Sequence, residues 1–227
     1  GEERGIVSAL SYEAKALGIT RGMPIFRVKI DYPKVIILPG DYKSYAKYST
    51  MMFDIVRRYA DDVEEYSIDE CFADLTGLEP PLKMSYRQIA EKIKYEVNNE
   101  LGLSISIGLA PTKVLAKVAS KWIKPNGLTI IEKDKILSFL SKTPIDKIWG
   151  IGPRTSKLLV SKGIKNAEDF INKNIGWIKE NLSKPYEVIW NELKGEYIMK
   201  INPFLKDVYS SIQKTQSFHP ATNDKTF

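Results

Sequence analysis

The sequence VEEYSIDECFADL, residues 63–75, decides how the fold is interpreted. Its two ends, 63–66 and 71–75, predict short strands, and the intervening Ser67–Glu70 predicts the bend of a β-hairpin. Asp69 and Glu70 are adjacent carboxylates at this bend, and carboxylate oxygens are the ligands that hard divalent cations prefer. We therefore expect a cation site here, with Mg²⁺ as the natural candidate.

Four more acidic residues lie close to this pair in the sequence, namely Asp61, Asp62, Glu64 and Glu65. They favour a cation site if they converge on it, but a run of charges is equally typical of a solvated hairpin. Asp74 is excluded from the same ion, because four residues of strand span roughly 13 Å.

The regions on either side of the hairpin alternate between helix and strand patterns. From residue 35 to residue 131 they predict the order β-α-β-β-α-β-α-β, an α+β fold with a layer of sheet and helices packed on it. Besides the hairpin, the predicted elements are a strand at Val35–Leu38, a helix after Asp41, a helix from the capping box Ser85–Gln88 to Gly102, a strand at Leu103–Leu109, a helix after Pro111 and a strand at Leu128–Ile131.

The helix that follows residue 111 carries a row of lysines. Lys113, Lys117 and Lys121 are four residues apart, so they lie one above another on one face, and Lys124 follows in the next turn. Because the row lacks acidic partners at the same spacing, it predicts either a site for an anionic ligand or an ordinary exposed lysine face. The preceding strand alternates apolar residues with small ones up to Gly108, which indicates that a neighbouring element packs closely against it.

The segment Trp149–Pro153, here called the glycine hairpin, has the form of a helix-hairpin-helix. Gly150 and Gly152 would let the turn expose backbone N–H groups at the start of the next helix, where a phosphate binds without any base being read. We expect a bulkier residue at Gly152 to hinder a positive φ and to block the phosphate. Arg154 and Lys157 add positive charge, and a plain connection between two helices is the alternative.

The composition excludes several classes of protein. The one cysteine, Cys71, rules out an internal disulfide, and together with the single His219 it rules out a Cys/His zinc cluster and a Ser/His/Asp triad. No apolar run approaches the roughly 20 residues of a membrane-spanning helix. We therefore expect a soluble protein of a reducing compartment without membrane contact.

Charge is unevenly distributed along the chain. Residues 1–80 carry 10 basic and 14 acidic side chains, net −4, whereas residues 81–227 carry 24 and 14, net +10. The basic part suggests a polyanionic partner such as nucleic acid.

Near residues 131/132 the pattern changes to short helices without a convincing strand, which marks the best domain boundary.

Five motifs occur in order along the chain: Tyr12-Glu13-Ala14-Lys15, Ser67-Ile68-Asp69-Glu70, the segment SIGLAPTKVLAK at 106–117, Lys124-Pro125-Asn126-Gly127 and Gly150-Ile151-Gly152. Together they resemble the Y-family translesion DNA polymerases, closest to the DNA polymerase IV branch. The resemblance implies fingers at 1–40, a palm at 41–131, a helical thumb with a helix-hairpin-helix at 132–201, and a linker with the start of a little finger at 202–227.

The resemblance also implies a role for each candidate residue. Asp69 would be a metal ligand, with Glu70 beside it at the primer end of a site for two Mg²⁺ ions. Tyr12, Lys15 and Lys124 would contact the triphosphate of an incoming dNTP. Position 15 is Lys where many relatives have Arg, so a bidentate grip on phosphate becomes a point charge. DNA contacts are expected from Lys113, Lys117, Gly150, Gly152, Arg154 and Lys157.

Two parts of the family pattern are missing. The pattern leads us to expect about 35 further residues in front and roughly 100 behind, amounts consistent with ordinary domain sizes. Those in front would carry the first metal-binding Asp and the aromatic residue that excludes ribonucleotides. We therefore expect a fragment that does not extend a primer alone. The expected partners are primer-template DNA, dNTP and, through the missing C-terminal region, a sliding clamp, and the expected state is a cytoplasmic monomer.

The activity implied for the parent protein is template-directed addition of a deoxynucleotide to a primer 3′ end, past damaged template bases. Two alternatives remain open at this point. A DNA-binding module without catalysis explains the basic segment and the glycine hairpin but gives Asp69 and Glu70 no purpose. A metal-dependent nuclease also uses carboxylates, and it predicts phosphodiester cleavage without any dependence on dNTP.

Overall fold

The computed structural model describes residues 5–204, and the chain divides into two compact units, residues 1–43 and 44–227. Of the linker and little-finger start predicted at 202–227, residues 205–227, with His219, lie outside the described residues. The helices are α1 Tyr12–Ala16, α2 Ile25–Asp31, α3 Tyr42–Arg57, α4 Glu79–Leu82, α5 Tyr86–Leu101, α6 Lys113–Trp122, α7 Ile136–Leu140, α8 Pro153–Ser161, α9 Ala167–Ile171, α10 Ile175–Asn181 and α11 Lys184–Leu193. The strands are β1 Val63–Ser67, β2 Glu70–Ala73, β3 Ile107–Leu109 and β4 Leu128–Ile130.

The first unit has a small core of its own, formed by Val7, Ile19 and Val28. Its first helix, α1, begins after Ser11, whose Oγ accepts a hydrogen bond of 3.2 Å from the backbone N–H of Ala14. Helix α2 was not predicted from the sequence.

The strand predicted at Val35–Leu38 is wrong. The N–H of Val35 donates back to the carbonyl of Tyr32 at 3.0 Å, which makes a turn instead of a ladder. Ile36 and Leu38 are 83% and 79% exposed. An apolar run becomes a strand only where a neighbouring strand takes up its backbone groups, and the described part of the chain provides none here.

The predicted helices of the second unit are confirmed. Helix α5 begins with a capping box in which Ser85 and Gln88 satisfy each other's backbone N–H groups, and it ends at Gly102, where φ is +67°. Helix α3 follows Asp41, as the apolar spacing predicts.

Two separate two-stranded sheets replace the single sheet layer that was expected. Strands β1 and β2 form the predicted antiparallel hairpin, with Val63 opposite Ala73 and Ser67 opposite Glu70. Strand β3 is shorter than predicted and runs parallel to β4. The mixture of these sheets with packed helices confirms the α+β class.

Helix α6 lies against β3 at very short range. A Cβ built on Gly108 would overlap the carbonyl oxygen of Ala116 and the backbone nitrogen of Ser120, and would lie 2.8 Å from Ala119 Cβ. The small face of this strand therefore has the close neighbour that its sequence indicates.

Two hydrophobic cores fill the second unit. The first joins α3, α5 and the hairpin, and the second joins α6 to the helices that follow residue 132. Fully buried Glu192 of α11 supports this second junction, because its carboxylate accepts hydrogen bonds from the backbone N–H groups of Val114 (3.2 Å), Ile198 (2.8 Å) and Met199 (2.7 Å).

From residue 133 to residue 204 the described chain forms helices and no named strand, as the sequence indicates. The assignment of fingers, palm, thumb and little finger to ranges of the chain stays a prediction. No helix in the described part of the chain is long and apolar enough to cross a membrane.

We expect Gly108→Ala to lower the free energy of unfolding by about 3 kcal/mol, the upper end of what overpacking usually costs, because backbone atoms of α6 must move to admit the methyl group. Urea denaturation measures the change. The control is Ser104→Thr, which adds one carbon at an exposed position of the same segment. Equal stability of the two variants would contradict the close contact.

Candidate functional site

The acidic hairpin, residues 63–73, places Asp69 and Glu70 side by side at its turn. Ser67 Oγ donates a hydrogen bond of 2.8 Å to Asp69 Oδ1. Asp69 is exposed, and the Glu70 side chain is 38% exposed. Both carboxylates reach solvent, and their oxygens fit the donor preference of a hard divalent cation.

The neighbouring Glu64 and Glu65 do not converge on this pair, so the condition under which they would favour a cation site is not met. Glu64 is engaged by Lys113, and Glu65 by Arg57. Within residues 5–204 no three side chains of His, Cys, Asp or Glu are grouped so that they could hold a metal ion. Asp69 and Glu70 therefore supply the right chemistry but only part of a coordination sphere.

The predicted exposed lysine row is wrong for Lys113 and Lys117, whose side chains are only 6% and 11% exposed. Lys113 Nζ lies 2.5 Å from Glu64 Oε2, and Lys117 Nζ lies 2.5 Å from Glu70 Oε2. These acidic partners come from the hairpin and not from the helix, so helical spacing could not reveal them.

Further along the same helix, Lys121 is exposed as predicted, and so is Lys124. Partial burial of its ammonium group and the nearby charge of Lys117 lower the pKa of Lys121. The charges of Lys124 and Lys147 act in the same direction, and Glu70 opposes them. Several ammonium groups thus act on each other next to one carboxylate, which produces a local positive potential suited to a polyanion.

Three aromatic rings join the acidic hairpin to the glycine hairpin. The ring centroid of Trp149 lies 5.2 Å from that of Tyr66 and 5.4 Å from that of Phe72, and Trp149 Nε1 donates to Tyr66 Oη at 3.2 Å. Lys113 and Lys117 lie over the Phe72 and Tyr66 rings at 5.3 and 5.8 Å. Sequence reasoning missed this cluster, whose signal is one aromatic residue in each strand of the hairpin, Tyr66 and Phe72.

The glycine hairpin has a different backbone from the one expected. Gly150 has φ +87°, and a Cβ there would lie 2.7 Å from Ile189 Cδ1. Gly152 has φ −78°, so the expected positive φ at Gly152 is wrong. It precedes α8, and no atom outside its own neighbourhood lies within 4 Å of an added Cβ. Arg154 and Lys157 are exposed on α8.

A cavity of about 620 Å³ lies between the two sheets. It is lined by residues 72–76, which form the end of β2 and the segment after it, and by residues 108–113, which form the end of β3 and the segment after it. Among the described residues β2 pairs only with β1, and β3 only with β4. Asp74 lines the cavity; its burial favours a higher pKa, but hydrogen bonds from Thr76 and Tyr197 outweigh it, and the pKa is lowered.

Tyr12 and Lys15 belong to the first unit, where both lie exposed on α1. Their spacing of three residues places them on neighbouring positions of the helix surface. Their joint contact with Lys124 to one triphosphate stays a prediction.

Comparison with known proteins identifies relatives along most of the chain. The sequence model of the impB/mucB/samB family matches residues 1–121, and the model of the IMS family HHH motif matches residues 133–164, which include the glycine hairpin. DNA polymerase IV of Ureaplasma parvum serovar 3 (strain ATCC 27815 / 27 / NCTC 11736) is 37% identical over 97% of this chain and 61% of its own length. DNA polymerase IV of Bacillus velezensis is 36% identical over 89% and 48%.

Solved structures give the same result. DinB from Sulfolobus solfataricus matches with a TM-score of 0.75 and 30% identity over 88% of this chain and 59% of its own. An insertion ternary complex of Dbh DNA polymerase matches with a TM-score of 0.74 and 30% identity over 84% and 56%. The chain spans about half to three fifths of the length of these relatives. It belongs to the impB/mucB/samB family, and its predicted resemblance to Y-family DNA polymerases of the DNA polymerase IV branch is confirmed.

Proposed function

We propose that this chain is part of a translesion DNA polymerase, which adds dNTPs to a primer 3′ end as a template directs. The observation that carries this proposal is the position of Glu70, the neighbour of Asp69 at the hairpin turn, beside Lys117 and Lys121. Carboxylates for a divalent cation and ammonium groups for a polyphosphate are the two sets of groups that nucleotidyl transfer needs. The match to proteins called DNA polymerase IV over nearly the whole chain supports it.

The divalent cation of this reaction is proposed to be Mg²⁺, with two ions in the complete protein. Asp69 and Glu70 would hold it. When bound, Mg²⁺ lowers the pKa of the primer hydroxyl and neutralises the charge of the phosphates. The hydrogen bond from Ser67 fixes one oxygen of Asp69, so the carboxylate enters the reaction already oriented.

The cationic side chains are proposed to bind and orient the substrates. Lys124, with Tyr12 and Lys15, would hold the triphosphate of the incoming dNTP. The glycine hairpin, with Arg154 and Lys157, would hold DNA through backbone phosphates and read no base. A DNA contact for Lys113 or Lys117 stays a prediction, because both lysines are engaged by glutamates.

The remaining metal ligand is proposed to come from a strand that enters the cavity between β2 and β3. Each of these strands lines the cavity and has one strand partner among the described residues, so a further strand would find backbone groups to pair with on both sides. This accounts for a carboxylate pair that fits a cation but does not surround it.

The remaining expectations about the whole protein stay proposals of the same kind. They are a sliding clamp as partner, a monomeric state and a cytoplasmic location. Dependence of the reaction on dNTP separates the polymerase from a nuclease, because a nuclease would cleave DNA with the metal alone.

We expect Asp69→Asn or Glu70→Gln, in a protein with the full length of the relatives, to reduce primer extension by several orders of magnitude. The reason is that each substitution removes an anionic metal ligand, while the groups proposed to contact DNA are unchanged. Single-turnover extension and DNA titration measure the two effects. The control, Glu65→Gln, alters a carboxylate of the same hairpin that Arg57 engages. Wild-type extension by either site variant would defeat the proposal.

We expect Gly152→Val to lower DNA affinity on the order of tenfold, the worth of one hydrogen bond to a charged group, and equally for unrelated duplexes. An added Cβ meets no atom beyond its chain neighbours, so the substitution would fill the space where a phosphate is proposed to approach. Ser161→Val, at the opposite end of α8, is the matched control. A loss confined to one DNA sequence would contradict a backbone contact.

A further inference from the structure

The contact between Glu70 and Lys117 is the starting point. Lys117 Nζ lies 2.5 Å from Glu70 Oε2, and its side chain is 11% exposed beneath the acidic hairpin. Glu70 is also one of the two carboxylates that the proposed function assigns to a divalent cation. The ammonium group and the cation would therefore use the same carboxylate.

Two cations cannot share this oxygen at no cost. A divalent ion and an ammonium group a few ångströms apart repel each other by more than 1 kcal/mol even at the dielectric constant of water. An ion that takes Glu70 Oε2 must therefore displace Lys117 or bind more weakly beside it.

The charged surroundings add repulsion on the displaced ammonium group. The neighbouring Lys121 has its pKa lowered by burial and by the charge of Lys117. When Glu70 no longer neutralises Lys117, the repulsion between Lys117 and Lys121 is no longer offset by that carboxylate. An anion of high charge density, such as a polyphosphate, would remove that repulsion.

We propose that Lys117 is an exchangeable counter-ion of Glu70, which couples the binding of a divalent cation at Glu70 to the binding of a polyphosphate at Lys117. This inference rests on the proposed function and goes beyond it, since it gives a buried lysine the task of making cation and polyphosphate bind together. By linkage, each ligand must raise the affinity for the other by the same factor.

The pair of Lys113 and Glu64 is a natural control on the same helix and hairpin. It has the same separation of 2.5 Å, but Glu64 Oε2 also accepts a hydrogen bond of 2.7 Å from the backbone N–H of Asn202. This second bond holds Glu64 in place. Substitutions in this pair change the charge by the same amount without altering Glu70.

The test uses the 227-residue chain with two separate probes, Mn²⁺ alone and inorganic tripolyphosphate alone. We expect Lys117→Met to tighten Mn²⁺ binding, followed by electron paramagnetic resonance, on the order of tenfold, because the competing ammonium group is gone. We expect Glu70→Gln to tighten tripolyphosphate binding, followed by calorimetry, because Lys117 is released. In the double variant Glu70→Gln with Lys117→Met, the gain for tripolyphosphate should disappear.

Three outcomes would overturn the inference. The first is Mn²⁺ binding that is unchanged or weaker in both Lys117→Met and the milder Lys117→Gln. The second is a gain in Mn²⁺ affinity from Lys113→Met that equals the gain from Lys117→Met. The third is a gain in tripolyphosphate affinity that persists in the double variant. Asp69→Asn tests the proposed function separately. If it leaves Mn²⁺ affinity unchanged, the metal site itself is wrong, whereas a loss there without a Lys117 effect removes only the counter-ion exchange.

Discussion

The contact between α6 and β3 is the constraint on which the rest of the second unit depends. At Gly108 the helix comes so close that no side chain fits between the two elements. Since the helix cannot shift, the direction of each of its side chains is fixed. One face joins the second core through Val114 and Leu115, and another presents Lys113 and Lys117 to the acidic hairpin. A helix held less closely would not serve a hydrophobic core and two ion pairs at once.

The contact between α6 and β3 also changes how the charge distribution along the sequence is interpreted. The net charges of −4 and +10 in the two parts of the sequence suggest an external polyanion. In the folded chain, two lysines of the basic part neutralise Glu64 and Glu70 of the acidic part. Part of the segregation is therefore compensated internally. Exposed positive charge remains at Lys121 and Lys124 and on the outer surface of α8. Net charge alone could not separate these contributions, because it contains no information on which charges meet.

The sequence correctly predicted those structural features that depend on residues close together in the chain. The end of α5 at Gly102 needs only a backbone conformation that glycine adopts easily, and the adjacency of Asp69 and Glu70 is written in the sequence itself. The failures concern partners distant in sequence. The segment Val35–Leu38 has the composition of a strand, but no strand lies beside it in the part of the chain that the structure describes. The partner of Lys117 lies 47 residues away, so the helix pattern described an exposed lysine where the fold buries one.

The cavity between β2 and β3 and the partial coordination offered by Asp69 and Glu70 are related. Strands β2 and β3 flank a cavity without pairing with each other, and the carboxylates at the start of β2 offer a cation too few ligands. The backbone groups along the sheet edges need hydrogen-bond partners, and the carboxylate pair needs further ligands for a cation. One extended segment with a carboxylate at the right register would supply both. It would convert two small sheets into one and would add an oxygen ligand beside Asp69. An ordered metal site would then depend on sheet formation, because the strand that would complete the coordination would also fix the hairpin that carries Asp69 and Glu70.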